Sequence, residues 1–124
     1  MNHIASPQTG DTAIEQEIKS KGLTAPLITP AYIEANIASE HYHSPNTAGD
    51  QCWTGETNGA LDTLTFCVLV LRNGFTVTGE SACASPKNFN TEIGRKIARA
   101  NAVQKVWPLM GYALKQKLAE IGAA

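Results

Sequence analysis

The chain has 124 residues, of which 43% are hydrophobic and 17% are charged, and its formal net charge is −1. This composition is typical of one folded domain with a single core and excludes an intrinsically disordered chain. No segment approaches the ~20 apolar residues that span a bilayer, and the polar start MNHIASPQTG is not typical of a signal peptide, so we expect one cytosolic domain over residues 1–124.

The first predicted element is a short helix over residues 12–21. Asp11 or Thr12 can cap its start, and Gly22 suits the left-handed conformation that often ends a helix. A loop rich in proline and threonine follows. Residues 1–28 together are a candidate flexible N-terminal extension of the domain.

A second helix is predicted to begin at Pro30. Thr29 precedes it and can cap it, and proline is favoured in the first turn of a helix. The apolar stripe that extends this helix consists of Tyr32, Ile33, Ile37 and Ala38. The pattern therefore predicts one helix that continues to about His43.

Residues 44–63 are predicted as a long connection because they are rich in turn-forming residues. One weakly marked strand is expected within it, over residues 51–57. Trp53 lies in this polar stretch. We interpret it as an apolar plug under the loop, with an exposed aromatic side chain that awaits a partner as the alternative.

Residues 64–81, LTFCVLVLRNGFTVTGES, form a predicted β-hairpin. Asn73-Gly74 suits a two-residue type I′ turn, which places Val70 opposite Val77. That register gives a core face of Leu64, Phe66, Val68, Val70, Phe75 and Val77. The second face carries Cys67, Leu69 and Leu71. Because this face is too apolar to leave bare and the hairpin has two free edges, we expect at least a dimer, with cover by residues 1–43 as the alternative.

A long C-terminal helix is predicted from Asn88 or Asn90, either of which can cap it, to about Ile121. Its apolar stripe consists of Ile93, Ile97, Ala100, Val103, Trp107, Met110, Leu114, Leu118 and Ile121. Pro108 is expected to kink the helix, with two short helices as the alternative. Packing this stripe on the hairpin predicts an α+β fold: an antiparallel hairpin-based sheet against a long, kinked C-terminal helix, with short N-terminal helices.

Charge is unevenly distributed along the chain. Residues 1–86 contain three basic and nine acidic side chains, a balance of −6, whereas residues 87–124 contain seven basic and two acidic ones, a balance of +5. The basic part can bind an anion, the acidic part of the same chain, or a second copy. Solvated helix charges also account for such asymmetry.

Arg95 and Arg99 are the candidate anion-binding pair. They lie four residues apart near the start of the long helix, where free N–H groups favour an anion, and two arginines can hold a phosphate by bidentate hydrogen bonds. Solvation or pairing with neighbouring carboxylates is an equally good interpretation. Phe75, Asn88 and Asn90 are candidate neighbours for a base and its phosphate.

Neither a metal nor a cofactor is expected. The cysteines Cys52, Cys67 and Cys83 contain no CxxC spacing and are expected to be reduced thiols. His41 and His43 with Cys52 are a weak metal set, because histidines two apart on a helix do not share a face and no fourth ligand is evident.

The runs YIEANIASEHYH, TFCVLVLRNGFTVTGES and IGRKIARANAVQKVWPLMGY resemble a small protein family of tailed phages and prophages, the gene-forty-nine/sixty-six family. The resemblance covers roughly residues 31–118 and leaves the first thirty residues outside. It implies a small non-structural phage protein of largely unassigned role in the host cytoplasm.

A weaker similarity, in the hairpin, the C-terminal helix and its Arg-x-x-x-Arg pair, is to phage anti-Thoeris sponges. It implies a non-enzymatic counter-defence protein that sequesters a nucleotide-derived second messenger, a cyclic ADP-ribose isomer or cyclic oligonucleotide, in a homo-oligomer. Arg95 and Arg99 would hold the pyrophosphate, Phe75 would stack on the base, and Asn88 and Asn90 are candidate contacts. The alternative is a host-takeover protein that binds a bacterial host protein. Neither a membrane nor a nucleic-acid polymer is an expected partner.

Overall fold

The computed structural model describes residues 7–22, 25–45 and 58–122 of the chain. Three helices and three strands follow one another as α1 (Pro7–Ser20), α2 (Pro30–Ala35), β1 (Ile37–His43), β2 (Leu64–Leu71), β3 (Thr76–Ala82) and α3 (Thr91–Glu120). Short 3-10 helices precede β2 at Gly59–Thr63 and α3 at Pro86–Asn88. The strands form one antiparallel sheet in the order β1-β2-β3. The predicted α+β fold is therefore confirmed.

Local capping chemistry sets several helix ends as the sequence predicts, but not the start of α1. That helix begins at Pro7, so the predicted cap at Asp11 or Thr12 is wrong. The Thr29 hydroxyl accepts a hydrogen bond from the Tyr32 amide at 3.1 Å, and Pro30 occupies the first turn of α2. The Asn90 side chain caps α3 by accepting from the Ile93 amide at 3.0 Å. Gly22, after α1, has the positive φ of 71° that a left-handed C-cap requires.

The predicted continuation of α2 to His43 is wrong, because the helix ends at Ala35 and residues 37–43 form strand β1. The Asn36 carbonyl accepts a hydrogen bond from the Arg72 amide, which ties the end of α2 to the end of β2. Beyond it, β1 pairs with β2 from Leu71 to Phe66. Sheet pairing at the free edge of β2 outweighs the helical spacing of this segment.

The hairpin exists, but its predicted turn and register are wrong by one residue. The Leu71 amide donates to the Phe75 carbonyl at 2.8 Å and the Gly74 amide donates to Leu71 at 2.9 Å, so the loop has three residues rather than two. Only Gly74 has a positive φ, 89°, whereas a type I′ turn requires it at Asn73 as well. Val70 therefore lies opposite Thr76 instead of Val77.

This one-residue difference places Val77 and Gly79 on the face of Leu69 and Cys67 rather than on the face of Val70 and Val68. Cys67, Leu69 and Leu71 are buried against α3, whereas Phe66 is half-buried on the opposite face and Phe75 is 53% exposed. The predicted core face is thus wrong, except for Val77, which is buried. The core comprises Ile33, Cys67, Leu69, Leu71, Val77, Ala98, Ala102, Val103 and Val106. Since α3 covers Cys67, Leu69 and Leu71, this face does not require a second copy of the chain to cover it.

Helix α3 lies very close to the sheet at Gly79. A Cβ atom on Gly79 would stand 2.2 Å from the Ala98 carbonyl oxygen and 2.3 Å from the Ala102 amide nitrogen. Close approach requires small residues, and the buried face of α3 consists of Gly94, Ala98, Ala102, Val103 and Val106. The predicted stripe is right in part, since Val103 is buried and Trp107 and Met110 pack against the core. Ile93, on the predicted stripe, is 46% exposed.

Helix α3 continues without interruption through Pro108, so the alternative of two short helices is wrong and the kink stays a prediction. Its 30 residues span about 45 Å, whereas the strands of the sheet span about 25 Å. The last fully buried residue of α3 is Val106. Its C-terminal half therefore extends past the sheet and packs beside α2 instead.

The predicted strand at residues 51–57 and the placement of Trp53 lie outside the described residues.

Candidate functional site

Arg99 joins α3 to both α2 and β1 through two carboxylates. Its two terminal nitrogens donate to the Glu34 carboxylate at 2.7 and 3.1 Å, and its Nε donates to Glu40 at 2.9 Å. The side chain of Arg99 is only 21% exposed. The bidentate bond to Glu34 raises the pKa of Arg99, which is therefore fully charged at any accessible pH.

Tyr42 extends this cluster along β1. Its hydroxyl donates to the Glu40 carboxylate at 2.5 Å, and the guanidinium of Arg95 lies 5.5 Å from the centre of its ring. The hydroxyl of Tyr42, with further help from Arg99, holds the pKa of Glu40 below its ordinary value of 4.5. Burial, and then the carboxylate of Glu40, raises the pKa of Tyr42. At neutral pH the cluster thus holds ionised Glu40 and neutral Tyr42.

The thiol beneath this cluster is not a reactive one. Cys67 pairs with Tyr42 in the sheet and has no exposed surface. Burial raises the pKa of the Cys67 thiol, so the nucleophilic thiolate is disfavoured. Cys83 is also a buried free cysteine, and its thiol donates to the Ser85 carbonyl.

The structure does not bring all five predicted ligand-binding residues together. Arg95 and Arg99 lie at β1, Asn90 caps α3, and Asn88 is exposed in the short helix just before it. Phe75, however, lies at the hairpin loop. Gly94 contacts Thr65 at the other end of β2, so Phe75 and Arg95 are separated by the length of β2, about 20 Å. The ligand-binding role of these residues stays a prediction.

A groove of about 540 Å³ lies between α2, with the loop before it, and the C-terminal half of α3. Its apolar wall includes Pro26, Leu27, Ile28, Met110, Ala113 and Leu114. Tyr32 and Asn36 contribute from α2 and its C-cap, while Arg72 and Lys117 supply two cations. None of the described residues that line this groove is acidic.

Each polar side chain reaches the groove for a local reason. Tyr32 is in the first turn of α2 beside the buried Ile33 and is 61% exposed. Arg72 follows β2 and donates through Nε to the Ala35 carbonyl, which turns its guanidinium toward α2. The terminal nitrogens of Arg72 and the ammonium of Lys117 have no carboxylate partner within the described part of the chain.

Sequence reasoning missed this groove, because it placed Tyr32 on the buried stripe of a longer helix. In the structure Tyr32 is exposed and Ile33 is the buried residue of α2. The signal that was present is the Pro26–Pro30 loop, whose two prolines and apolar residues adjoin a helix too short to have its own core.

No group of three or more potential metal ligands occurs among the described residues. His41 and His43 are on β1, where residues two apart share a face, so the helical argument against their pairing does not apply. Cys52, the third member of the set considered, is outside the described residues. None of the helices in the described ranges combines the length and hydropathy that a membrane span requires.

Residues 28–118 match the Phage protein (N4 Gp49/phage Sf6 gene 66) family. The chain belongs to this phage protein family. The match begins just before α2 and ends in the last turn of α3, so the family region contains the sheet, the Arg99 cluster and most of the groove. Helix α1 lies outside it. No curated protein and no solved structure matches the chain.

Proposed function

We propose that this phage protein acts by binding rather than by catalysis, and that it sequesters a nucleotide-derived immune second messenger such as a cyclic ADP-ribose isomer or a cyclic oligonucleotide. The groove between α2 and α3 is the site we assign to the ligand. The observation that carries the proposal is the combination there of an exposed aromatic ring and two cations with an apolar wall.

The size and lining of the groove support a small ligand. Its volume of about 540 Å³ lies within the range of roughly 300–1,000 Å³ typical of small-molecule sites. A base can stack on the exposed ring of Tyr32, since stacking on an aromatic side chain tolerates any base. The apolar residues beside it can then cover the rest of the base and the ribose.

The charges of the groove support an anion. Arg72 and Lys117 are exposed, and Arg72 retains the planar fork of terminal nitrogens that suits a phosphate. The described residues that line the groove include no Asp, Glu, His, Cys or Ser to act as a general base or nucleophile. Tyr32 and Lys117 can also take such roles, but no carboxylate or imidazole lies beside them in this lining to activate them. Storage of the ligand is therefore a better fit to this lining than cleavage.

The groove is a better candidate than the Arg95/Arg99 pair for one electrostatic reason. Two carboxylates already neutralise Arg99, so a phosphate there would have to displace Glu34 or compete with Glu40. Arg72 and Lys117 face no such competition. Arg95 remains available for an anion at the predicted Arg95/Arg99 site, because its partner among the described residues is the ring of Tyr42.

Titration calorimetry with cyclic ADP-ribose isomers and a panel of cyclic di- and trinucleotides tests the proposal. For a ligand that binds, Lys117→Ala should weaken affinity by roughly ten- to hundredfold, because a charge-assisted hydrogen bond contributes about 1.5–3 kcal/mol. Tyr32→Ala should weaken it as well. Lys115→Ala is the matched control, since Lys115 is exposed on the same helix but does not line the groove.

Two results would change the proposed site or the proposed activity. Loss of affinity in Arg95→Ala but not in Lys117→Ala would return the ligand to the predicted arginine pair. Binding followed by recovery of a cleaved ligand after denaturation would make the protein an enzyme. The absence of binding across the whole panel would contradict the messenger hypothesis.

A second candidate function is binding to a bacterial host protein. The observation that favours it is the C-terminal half of α3, which exposes Leu109, Tyr112 and Ile121 beyond the sheet, with Tyr112 73% exposed. Exposed aromatic side chains of this kind are frequent anchors of protein interfaces. A host protein that binds the wild-type chain and is lost with Tyr112→Arg, but retained with Lys117→Ala, would support this function over the first.

A further inference from the structure

The hydrogen-bond pattern of the sheet determines which backbone groups face its two edges. The Leu71 amide donates to the Phe75 carbonyl, so the backbone groups of Leu71 point toward β3. Antiparallel pairing alternates this direction along a strand, so Phe66, Val68 and Val70 point toward β1. Their register partners on β1 are His43, His41 and Ser39. The backbone groups of Glu40 and Tyr42 therefore face outward, away from β2.

The opposite edge, at β3, is closed by side chains of α3. Lys105 donates to the Thr78 carbonyl at 2.6 Å and Asn101 donates to the Glu80 carbonyl at 2.8 Å. Both carbonyls belong to residues that the same alternation points outward. An added strand at β3 would have to displace both side chains, which is a common way for a protein to protect a sheet edge.

The described residues give the edge at β1 no such protection. Within the described ranges, no hydrogen bond is made to the outward backbone groups of Glu40 or Tyr42. Residues 38–41 are exposed. We propose that a second copy of the chain pairs with this edge, so that two β1 strands run antiparallel about a two-fold axis and join two three-stranded sheets into one of six strands.

Charge complementarity selects both the occupant and the register. With the two-fold axis at His41, Glu40 lies opposite Tyr42 of the second copy, in the hydrogen-bonded geometry that outward groups require. Arg95 lies over the ring of Tyr42, so this register brings the carboxylate of the other copy's Glu40 to a guanidinium that has no carboxylate in its own described chain. An axis at Glu40 would instead place two carboxylates opposite each other, and an axis at Tyr42 would bring two Arg95 side chains together.

Two measurements test the proposal: the mass of the protein in solution, and a disulfide crosslink between the two copies at the two-fold axis. Light scattering or sedimentation of the full chain should give twice the 13.2 kDa of one copy. In a Cys52→Ser background, His41→Cys should form an interchain disulfide under mild oxidation, because directly opposite residues of a non-hydrogen-bonded pair bring their Cβ atoms within about 4.5–5.5 Å. Thr78→Cys, equally exposed on the same face but on β3, should not form this disulfide.

His41→Lys supplies the complementary perturbation. It places two like charges opposite each other at the axis and should convert the dimer to a monomer, whereas Thr78→Lys should leave the dimer unchanged. Unchanged circular dichroism in each variant shows that the fold is intact. A mass of one copy for the wild-type chain overturns the proposal. A dimer that persists in His41→Lys and lacks the His41→Cys crosslink also overturns it, because the interface then lies elsewhere.

Discussion

Gly79 controls how closely α3 can approach the sheet, and Gly79→Ala is therefore the sharpest perturbation of this fold. The new Cβ would lie 2.2 Å from the Ala98 carbonyl oxygen and 2.3 Å from the Ala102 amide nitrogen. Both atoms belong to the helix backbone, which cannot rotate away as a side chain can. The helix and the sheet would have to separate.

The required separation sets the size of the effect. Ordinary contact begins near 3.4 Å, so the two elements must move roughly 1 Å apart, a gap that loses a quarter to a half of the dispersion energy across the interface. That interface buries Ala98, Ala102 and Val106 completely. We expect Gly79→Ala to lower the free energy of unfolding by about 3 kcal/mol or more, at the upper end of overpacking substitutions. The melting temperature should fall by roughly 10 °C or more.

Gly111→Ala is the matched control. Gly111 is in the exposed part of α3, and an added Cβ there would meet no atom within 4 Å. Alanine is favoured over glycine in a helix interior by about 1 kcal/mol, so this substitution should raise the free energy of unfolding by that amount. Urea unfolding followed by circular dichroism measures both variants under identical conditions. A Gly79→Ala protein within about 0.5 kcal/mol of the wild type would refute the close approach of α3 to β3.

Three further predictions follow from single contacts. Arg99→Ala should lower the free energy of unfolding by about 1–2 kcal/mol, since it leaves the half-exposed carboxylates of Glu34 and Glu40 without their shared cation, whereas Arg95→Ala should change it by less than about 0.5 kcal/mol. Equal effects in urea unfolding would contradict the ion-pair geometry. Because the pKa of Tyr42 is raised in the fold, stability should fall as pH rises above about 10. Because the pKa of Glu40 is lowered, stability should also fall as pH drops below about 4.5. Thermal unfolding measured over a range of pH should show a smaller alkaline loss of stability for Tyr42→Phe. Thr65→Val should leave the free energy of unfolding unchanged or raise it by about 1 kcal/mol, because the buried Thr65 hydroxyl has no hydrogen-bond partner among the described residues. A clear loss of stability in urea would show that it has one.

The sequence predicted those features that depend on neighbouring residues. Thr29 and Asn90 cap their helices because a side-chain oxygen next to a helix start finds free amides within three residues. Gly22 and Gly122 have positive φ after the helices they end. Each of these contacts closes within a few residues, so no knowledge of the tertiary fold is needed.

The register of the hairpin could not be predicted from neighbouring residues alone. Asn73-Gly74 is compatible with a two-residue loop and equally with a three-residue loop in which only Gly74 is left-handed. The choice is made by packing: the observed register brings Cys67 opposite Gly79, on the face where α3 approaches most closely. Phe66 lies on the other face, and the restriction to a small residue applies at Gly79, where the backbone of α3 leaves no room for a Cβ atom.

Strand β1 was missed for a related reason. The apolar spacing of Ile33, Ile37 and Ala38 fits a helix, and nothing local marks a boundary after Ala35. The deciding contacts join residues far apart in the sequence, such as the Arg72 amide and the Asn36 carbonyl. A strand that is specified by its partner rather than by its own propensity cannot be recognised in one sequence.

The strand assignment also explains why Arg99 is a structural residue in the described chain. The helical interpretation of residues 37–43 gave Arg99 no defined acidic neighbour from the N-terminal part, whereas the strand carries Glu40 to it and the end of α2 carries Glu34. One positive charge of the basic C-terminal part is thereby neutralised by the acidic N-terminal part, across 59 and 65 residues of sequence. An anion must compete with these carboxylates at Arg99. At Arg72 and Lys117 it meets cations that have no carboxylate partner among the described residues. The groove is therefore the stronger site for a phosphate-bearing ligand.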